Sequence, residues 1–378
     1  MKIKRLIVVN VPIKSCNLKC KYCYITALKE NEGGCANFDY SPEHVGKCFS
    51  KERLGGTCII NLTGGGETLI PPEMPQYIYN LLLQGHYLEV VTNGTLTNRF
   101  NEIAKFPQDL LNHLEFKFSF HYQQLKERRL FDTFFNNVKL MRDRGCSFTI
   151  ELMPYDEIVP EIPNIIKMCK KELGAVCQIT VGRNDLTKEK ELLTSMTREK
   201  YEKTWSIFES NMFRYKLDIF QKKIKNFCYA GLWSLYVDLG TGKTKACYSQ
   251  MYNQNIFENP DKEIKFEPVG KHCRQPYCYN GHAFLTLGVV PEVDSPTYAD
   301  IRNRVCDDGT EWLKKDVKEA FSSKLSFANE VWSDEKKKKY EKKYLLRTIK
   351  TAIYDHDEIY RKVLKNKGSR IWKLLMKN

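Results

Sequence analysis

The chain has 378 residues, 42% of them hydrophobic and 12% aromatic, so it can bury a sizeable core and is not globally disordered. No apolar run is long enough to span a bilayer, and Met1 leads straight into an apolar strand pattern with no signal-peptide features, so a cytoplasmic location is expected. The formal charge of +14 favours polyanionic partners without naming one, and 14 cysteines in a chain with no export signal argue for metal ligation over a disulfide framework.

In chain order, β-rich runs at residues 6–13, 58–63, 88–92, 115–121, 147–153 and 178–181 predict six strands. Helical spacing fills the intervals, near residues 42–53, 73–83, 98–112, 124–144 and 159–173. This alternation predicts parallel βαβ units, and right-handed crossovers curl them into an α/β fold, a partial (β/α)6 TIM-like barrel. Functional residues then belong at the C-terminal ends of the strands. Residues 1–190 are read as this core and 191–225 as a helical connector. Residues 226–306, rich in cysteine and glycine with a hairpin-like stretch at 236–247, form a small second domain, and 307–378 a basic helical extension.

Just after the first strand, Cys16, Cys20 and Cys23 form Cys-x3-Cys-x2-Cys. Three thiolates on one tight loop can hold three irons of a cubane, leaving the fourth iron without a protein ligand. An open metal position is what a chelating substrate needs. A zinc site is the other reading of such a triplet, but no further cysteine or histidine follows until Cys35. The run from Cys16 to Tyr24, Cys-Asn-Leu-Lys-Cys-Lys-Tyr-Cys-Tyr, resembles the signature of the radical S-adenosylmethionine (radical SAM) superfamily. The resemblance implies a [4Fe–4S] cluster on Cys16, Cys20 and Cys23 and S-adenosylmethionine on its open iron. It implies reductive cleavage to methionine and a 5′-deoxyadenosyl radical, with the electron coming from a donor such as flavodoxin or ferredoxin. Tyr22 then lies against the adenine.

Other positions of residues 1–190 carry the same resemblance. Thr63-Gly64-Gly65-Gly66-Glu67-Thr68, closing the second strand, resembles the family's Gly-Gly-Glu motif, which implies that Glu67 binds the methionine amino group beside Gly64, Gly65 and Gly66. Glycines also let backbone approach a ligand closely. Thr92 and Asn93 end the third strand, and Ser119 matches a position that contacts the cofactor. Glu151, Arg183 and Asn184, on the fifth and sixth strands, are further candidates, the first two as cofactor contacts. His121 either faces the substrate or is structural.

Cys228 and Cys247 frame Cys-x13-Gly-x4-Cys around Gly242, and Cys273 and Cys278 follow. This set resembles the auxiliary-cluster appendage called a twitch, the short relative of the SPASM domain, and implies one auxiliary [4Fe–4S] cluster with four thiolates and no open iron. Such a cluster suits electron transfer better than substrate coordination. A zinc ribbon is the alternative. His282, four residues past Cys278, is a stand-in ligand or a neighbour of the ligands, and Cys306 is too isolated to found a second cluster. Gly242-Lys243-Thr244 imitates a phosphate-binding loop, but Val237 stands where that loop needs glycine, so a hairpin turn is expected. Asn280-Gly281 signals a turn, and Cys35, Cys48, Cys58, Cys146, Cys169 and Cys177 are assigned to packing.

The expected reaction is hydrogen abstraction from a small molecule (sugar, cyclitol or nucleotide-like) or a peptide, with the auxiliary cluster assisting a net oxidation or rearrangement. The cysteine motif begins at residue 16, so no peptide-recognition domain is expected before the barrel. The alternative is a non-catalytic iron–sulfur or zinc protein that binds nucleic acid through its tail. There Trp312, Trp332, Tyr340, Tyr344, Tyr354 and Tyr360 intersperse the lysines. A helical cap on the barrel uses the same residues and is preferred.

Overall fold

The computed structural model describes residues 1–27, 32–35, 37–187, 189–247, 250–251 and 253–346. Its six parallel strands are β1 (Arg5–Val11), β2 (Cys58–Gly64), β3 (Tyr87–Thr92), β4 (Leu114–Ser119), β5 (Ser147–Leu152) and β6 (Gln178–Ile179). They lie side by side in chain order, each hydrogen-bonded to the next. This is the expected α/β barrel-like arrangement, with every strand's C-terminal end on one side. Beyond β1 the sheet continues through β7 (Ser234–Asp238), parallel to β1, and the antiparallel strands β8 (Lys243–Lys245) and β9 (Gln254–Asn255). Gly242 sits in the β7–β8 turn at φ +73, a conformation glycine adopts without a Cβ penalty, and its N–H donates to the Asp238 carbonyl at 2.8 Å. The expected hairpin turn is thus present.

Most of the expected helices are present in two pieces, and the sequence explains the breaks. Residues 42–53 divide into Pro42–Cys48 and Lys51–Leu54, and the Ser50 side chain caps the second piece by accepting from the Arg53 N–H. Residues 98–112 divide at Pro107 into Thr97–Ile103 and Gln108–Leu111, because proline cannot continue a helix. Residues 124–144 divide into Tyr122–Glu127 and Phe131–Asp143, with Arg129 at φ +56 between them. The fourth strand ends at Ser119, not 121, and His121 instead precedes the next helix. The sixth is only two residues long.

Strand alternation sorts the side chains. On β4, Phe116 and Phe118 face the helices, their rings 5.4 and 5.6 Å from Phe100. The opposite face is polar. Asn61, Glu89 and Glu115 are register partners across β2, β3 and β4, and both glutamates are fully buried. The helix Tyr298–Arg302 supplies their counter-charge. Arg302, fully buried, lies 3.0 Å from Glu151 and 3.5 Å from Glu89, while the Tyr298 hydroxyl donates to Glu89 at 2.6 Å. Burial and the adjacent Glu89 push the Glu115 carboxyl well above its ordinary range.

Residues Met1–Asn329 form one compact unit and Glu330–Asn378 another. In the second, residues 334–346 are helical, and the Tyr340 ring packs 5.6 Å from Trp332 and 6.3 Å from Tyr344. Trp312, grouped by sequence with the tail aromatics, belongs instead to the first unit. It is buried 5.1 Å from Phe148 and donates its indole N–H to the Leu173 carbonyl at 3.2 Å. A buried, hydrogen-bonded indole is a core residue and offers no face to a base. Tyr354 and Tyr360 lie outside the described residues. Among the described residues no helix is long and apolar enough to cross a membrane.

Candidate active site at the strand ends

Cys16, Cys20 and Cys23 share one cavity of about 100 Å³ with Gly64, Gly66 and Glu67, and with Thr92, Asn93, Ser119 and His121 from the next two strand ends. Residues far apart in sequence meet there because β1 to β4 are parallel and neighbouring. The cysteine loop is pinned to the end of β3 by a polar triangle. Asn93 donates to the Asn17 side chain at 2.7 Å, Asn17 donates to the Thr95 hydroxyl at 2.8 Å, and that hydroxyl donates to Asn93 at 2.6 Å. The same Asn93 amide points at the Cys16 sulfur from 3.9 Å. Sequence reasoning found Asn93 but missed its partners; a side-chain amide inside the cysteine loop, Asn17, was the available signal.

Glu67 is 2% exposed and accepts three hydrogen bonds: from the Thr92 hydroxyl at 2.7 Å, the Asn93 N–H at 2.6 Å and the Leu69 N–H at 3.1 Å. An ionised carboxylate has about four acceptor positions, so one remains for an incoming ammonium group. Burial raises the Glu67 pKa despite these donors. The glycines also serve a contact within the fold that the sequence did not suggest. A Cβ on Gly66 would collide with the Ser15 carbonyl and one on Gly64 with the Ile13 side chain, and Gly65 lies against the Ile13 carbonyl. They allow residues 13–15, the lead-in to the cysteine loop, to lie on the end of β2, where Glu67 N–H donates to the Ser15 carbonyl at 2.9 Å. Gly64 and Gly66 also line the cavity; Gly65 does not.

Tyr22 packs 4.7 Å from the Tyr155 ring and its hydroxyl meets His121 Nδ1 at 2.5 Å. Burial lowers the His121 pKa to about 4, so the ring is neutral and suited to accept that hydroxyl's proton in a hydrogen bond. His121 therefore both lines the cavity and fixes Tyr22.

Glu151 and Arg183, grouped by sequence with the cofactor contacts, line a second cavity, of about 240 Å³. It adjoins the first through the sheet: Ser119 of the first cavity is the register partner of Glu151, and Lys117 stands two residues before Ser119 on the same face of β4. Burial pushes the Glu151 carboxyl up, but Lys117 at 3.1 Å and Arg302 outweigh it and hold it well below the usual carboxylate range. Arg183 pairs with Asp185 at 2.8 Å. The adjacent Asn184 lines a separate, more open hollow with Tyr22 and Tyr155.

The second cysteine set also converges. Cys228, Cys273 and Cys278 line a third cavity, of about 190 Å³, and Cys247 lies within electrostatic reach of Cys228 and Cys278. Tyr277 and Cys278 border both the second and the third cavity, and His282 lines the second. Asn280 precedes a short helix, Gly281–Phe284, where a turn was expected. Cys48, Cys58, Cys146, Cys169 and Cys177 are fully buried in the apolar core, as expected; the Cys35 side chain lies outside the described residues. Among the described residues, no three His, Cys, Asp or Glu side chains gather as a single metal ion requires. Thiolates at separate corners of a cubane stand farther apart than the ligands of one ion, and the donor chemistry, three thiols on one wall and four around another, fits iron–sulfur clusters.

Residues 10–158 match the family model of the radical SAM superfamily. This segment is a radical SAM domain. No curated protein matches the chain. Among solved structures, the chain is similar to SuiB of Streptococcus suis bound to S-adenosylmethionine, with 13% identity over 68% of this chain and 64% of that one and a TM-score of 0.47. It is similar also to native anSMEcpe with bound AdoMet and Cp18Cys peptide, at 16% identity over 68% and 79% of the two chains and a TM-score of 0.47. A third is BtrN in complex with AdoMet and 2-DOIA, at 11% identity over 68% and 80% and a TM-score of 0.32. The match thus spans less than two thirds of SuiB's own length. A radical SAM domain implies a [4Fe–4S] cluster and S-adenosylmethionine.

Proposed function

We propose that Cys16, Cys20 and Cys23 hold the [4Fe–4S] cluster, that Cys228, Cys247, Cys273 and Cys278 hold an auxiliary one, and that the second cavity receives the substrate between them. The observation that carries this reading is the position of that cavity. It adjoins the first cysteine set along β4 and β5 and has Cys278, of the second set, in its own wall. When bound, the first cluster supplies an electron to the sulfonium of S-adenosylmethionine, whose C–S bond breaks to give methionine and a 5′-deoxyadenosyl radical able to take hydrogen from substrate carbon. The protein's part is orientation and exclusion of water. Glu67 offers its last acceptor position to the methionine ammonium, Asn93 braces the cysteine loop, and Tyr22, held by His121, sits against the adenine. Electron transfer to the second cysteine set would make the net reaction an oxidation, of a small molecule or a peptide side chain.

Anaerobically reconstituted protein, reduced and supplied with S-adenosylmethionine, is expected to release 5′-deoxyadenosine and methionine in equal amounts. Intact clusters without either product would overturn the proposal.

A further inference from the structure

The second cavity holds a charge without a partner. Its charged lining residues are Lys117, Arg183 and Lys216, against Glu151 and Asp185. Glu151 is taken by Lys117 and Arg302, and Asp185 by Arg183 and by Lys190 at 3.2 Å. Lys216 is left over. It projects from the helix Asn211–Ile219, and among the described residues its ammonium has no carboxylate at ion-pair distance; it donates to the buried Thr180 hydroxyl. Glu151 acts on it only from farther away, and burial lowers its pKa to about 8, so at neutral pH it remains mostly charged. Beside it stands a second unanswered group: the buried Nδ1 of His282 has no hydrogen-bond partner, and burial, then Lys216 and Lys117, hold that ring neutral.

A buried ammonium without a counter-ion is costly, and so is a buried ring nitrogen without a hydrogen bond. Both costs fall on one wall of one cavity, which is the signature of a site whose ligand completes it. We propose that this cavity binds a carboxylate group of the substrate, with Lys216 as its counter-ion and the Nδ1–H tautomer of His282 as a hydrogen-bond donor. A carboxylate brings one charge, which matches the single unpaired cation. A phosphate monoester brings about 1.5 to 2, more than the ammonium of Lys216 alone neutralises. The assignment rests on the reading that the second cavity is the substrate's, and it narrows the substrate to a carboxylic acid, such as an acidic metabolite or a peptide with a free carboxylate.

The test uses anaerobically reconstituted protein saturated with S-adenosylmethionine, titrated calorimetrically with propionate, propionamide and inorganic phosphate. Propionate is expected to bind about tenfold or more tightly than either of the others. Lys216→Met, which keeps the apolar stem, and His282→Phe should each weaken propionate binding by about tenfold or more, while the exposed-site control Lys203→Met should not. Equal binding of propionate and propionamide, tighter binding of phosphate, or propionate binding indifferent to both substitutions overturns the proposal. The electron paramagnetic resonance of the reduced cluster, recorded with and without S-adenosylmethionine in the same samples, separates the two levels. A signal that ignores S-adenosylmethionine sinks the broader reading, whereas a responsive signal without selective propionate binding sinks only the carboxylate site.

Discussion

Replacing Arg302 with methionine removes the one guanidinium shared by Glu89 and Glu151 in the sheet's buried polar face. Two ion pairs at 3.0 and 3.5 Å each have a gross attraction of about 5 kcal/mol at an effective dielectric of about 20. Much of this offsets the desolvation of the guanidinium, and the carboxylates keep other partners: Lys117 for Glu151, and Asn61 and Tyr298 for Glu89. The net loss expected at pH 7 is about 3–5 kcal/mol, the range found when one partner of a buried pair is deleted. The assay is urea unfolding followed by tryptophan fluorescence, to which Trp312 beside Phe148 contributes. A double-mutant cycle with Glu151→Gln makes the reasoning specific. The paired substitutions should cost at least about 1 kcal/mol less than the sum of the single ones, because each single one already removes the interaction between the two groups. The folded pKa of Glu151 is depressed, so its stabilisation is present above the ordinary carboxylate pKa and lost as pH falls through the folded value. The gap between wild type and Arg302→Met should therefore narrow in strong acid. A loss below about 1 kcal/mol at pH 7, or strict additivity in the cycle, would refute the argument.

Other consequences concern the first cavity. Alanine at Cys16, Cys20 or Cys23 should each abolish the S-adenosylmethionine-dependent change in the cluster's resonance signal and lower bound iron by about four atoms per chain. Asn93→Ala breaks the triangle with Asn17 and Thr95 and should raise the apparent KM for S-adenosylmethionine by about tenfold, read from deoxyadenosine release, with cluster content near wild type. Gly66→Ala drives a methyl group into the Ser15 carbonyl; the expected result is a drop of about 1–3 kcal/mol in unfolding free energy together with poor cluster incorporation.

The parts of this architecture that were legible in sequence are those governed by local rules. Six β-rich runs separated by helical spacing predict a parallel sheet in chain order, and Cys-x3-Cys-x2-Cys after the first run places three cysteines together at a strand end. Helix breaks were less visible. Arg129 at φ +56 has no composition signal, whereas Pro107 does and was passed over. Glu151, expected among the cofactor contacts, lines the second of two adjoining cavities; the sequence shows which strand end it occupies and not which cavity it faces. Lys216 and Arg302 gave no signal at all. Each is one basic residue among many in a chain of charge +14, and only the folding of a distant helix onto the sheet gives it a role.

That dependence has a testable consequence for how much of the chain is needed to fold. Residues 1–225 contain all six parallel strands, yet they lack two things the sheet uses. β7 normally covers the free edge of β1, with partners from Leu6 to Asn10, and without it that edge exposes unpaired backbone groups beside the cysteine loop. Arg302 is missing as well, so Glu89, Glu115 and Glu151 would share a buried face whose nearest remaining cations are Lys117 and Lys216. A truncation at residue 225 is therefore expected to be insoluble or to lack a cooperative unfolding transition. Adding Glu89→Gln and Glu151→Gln to the truncated chain should improve recovery of soluble protein by removing stranded charge, without restoring the covered edge. A soluble truncated chain that unfolds at the urea midpoint of the full-length protein would show that the later residues sit on a finished barrel and do not complete it.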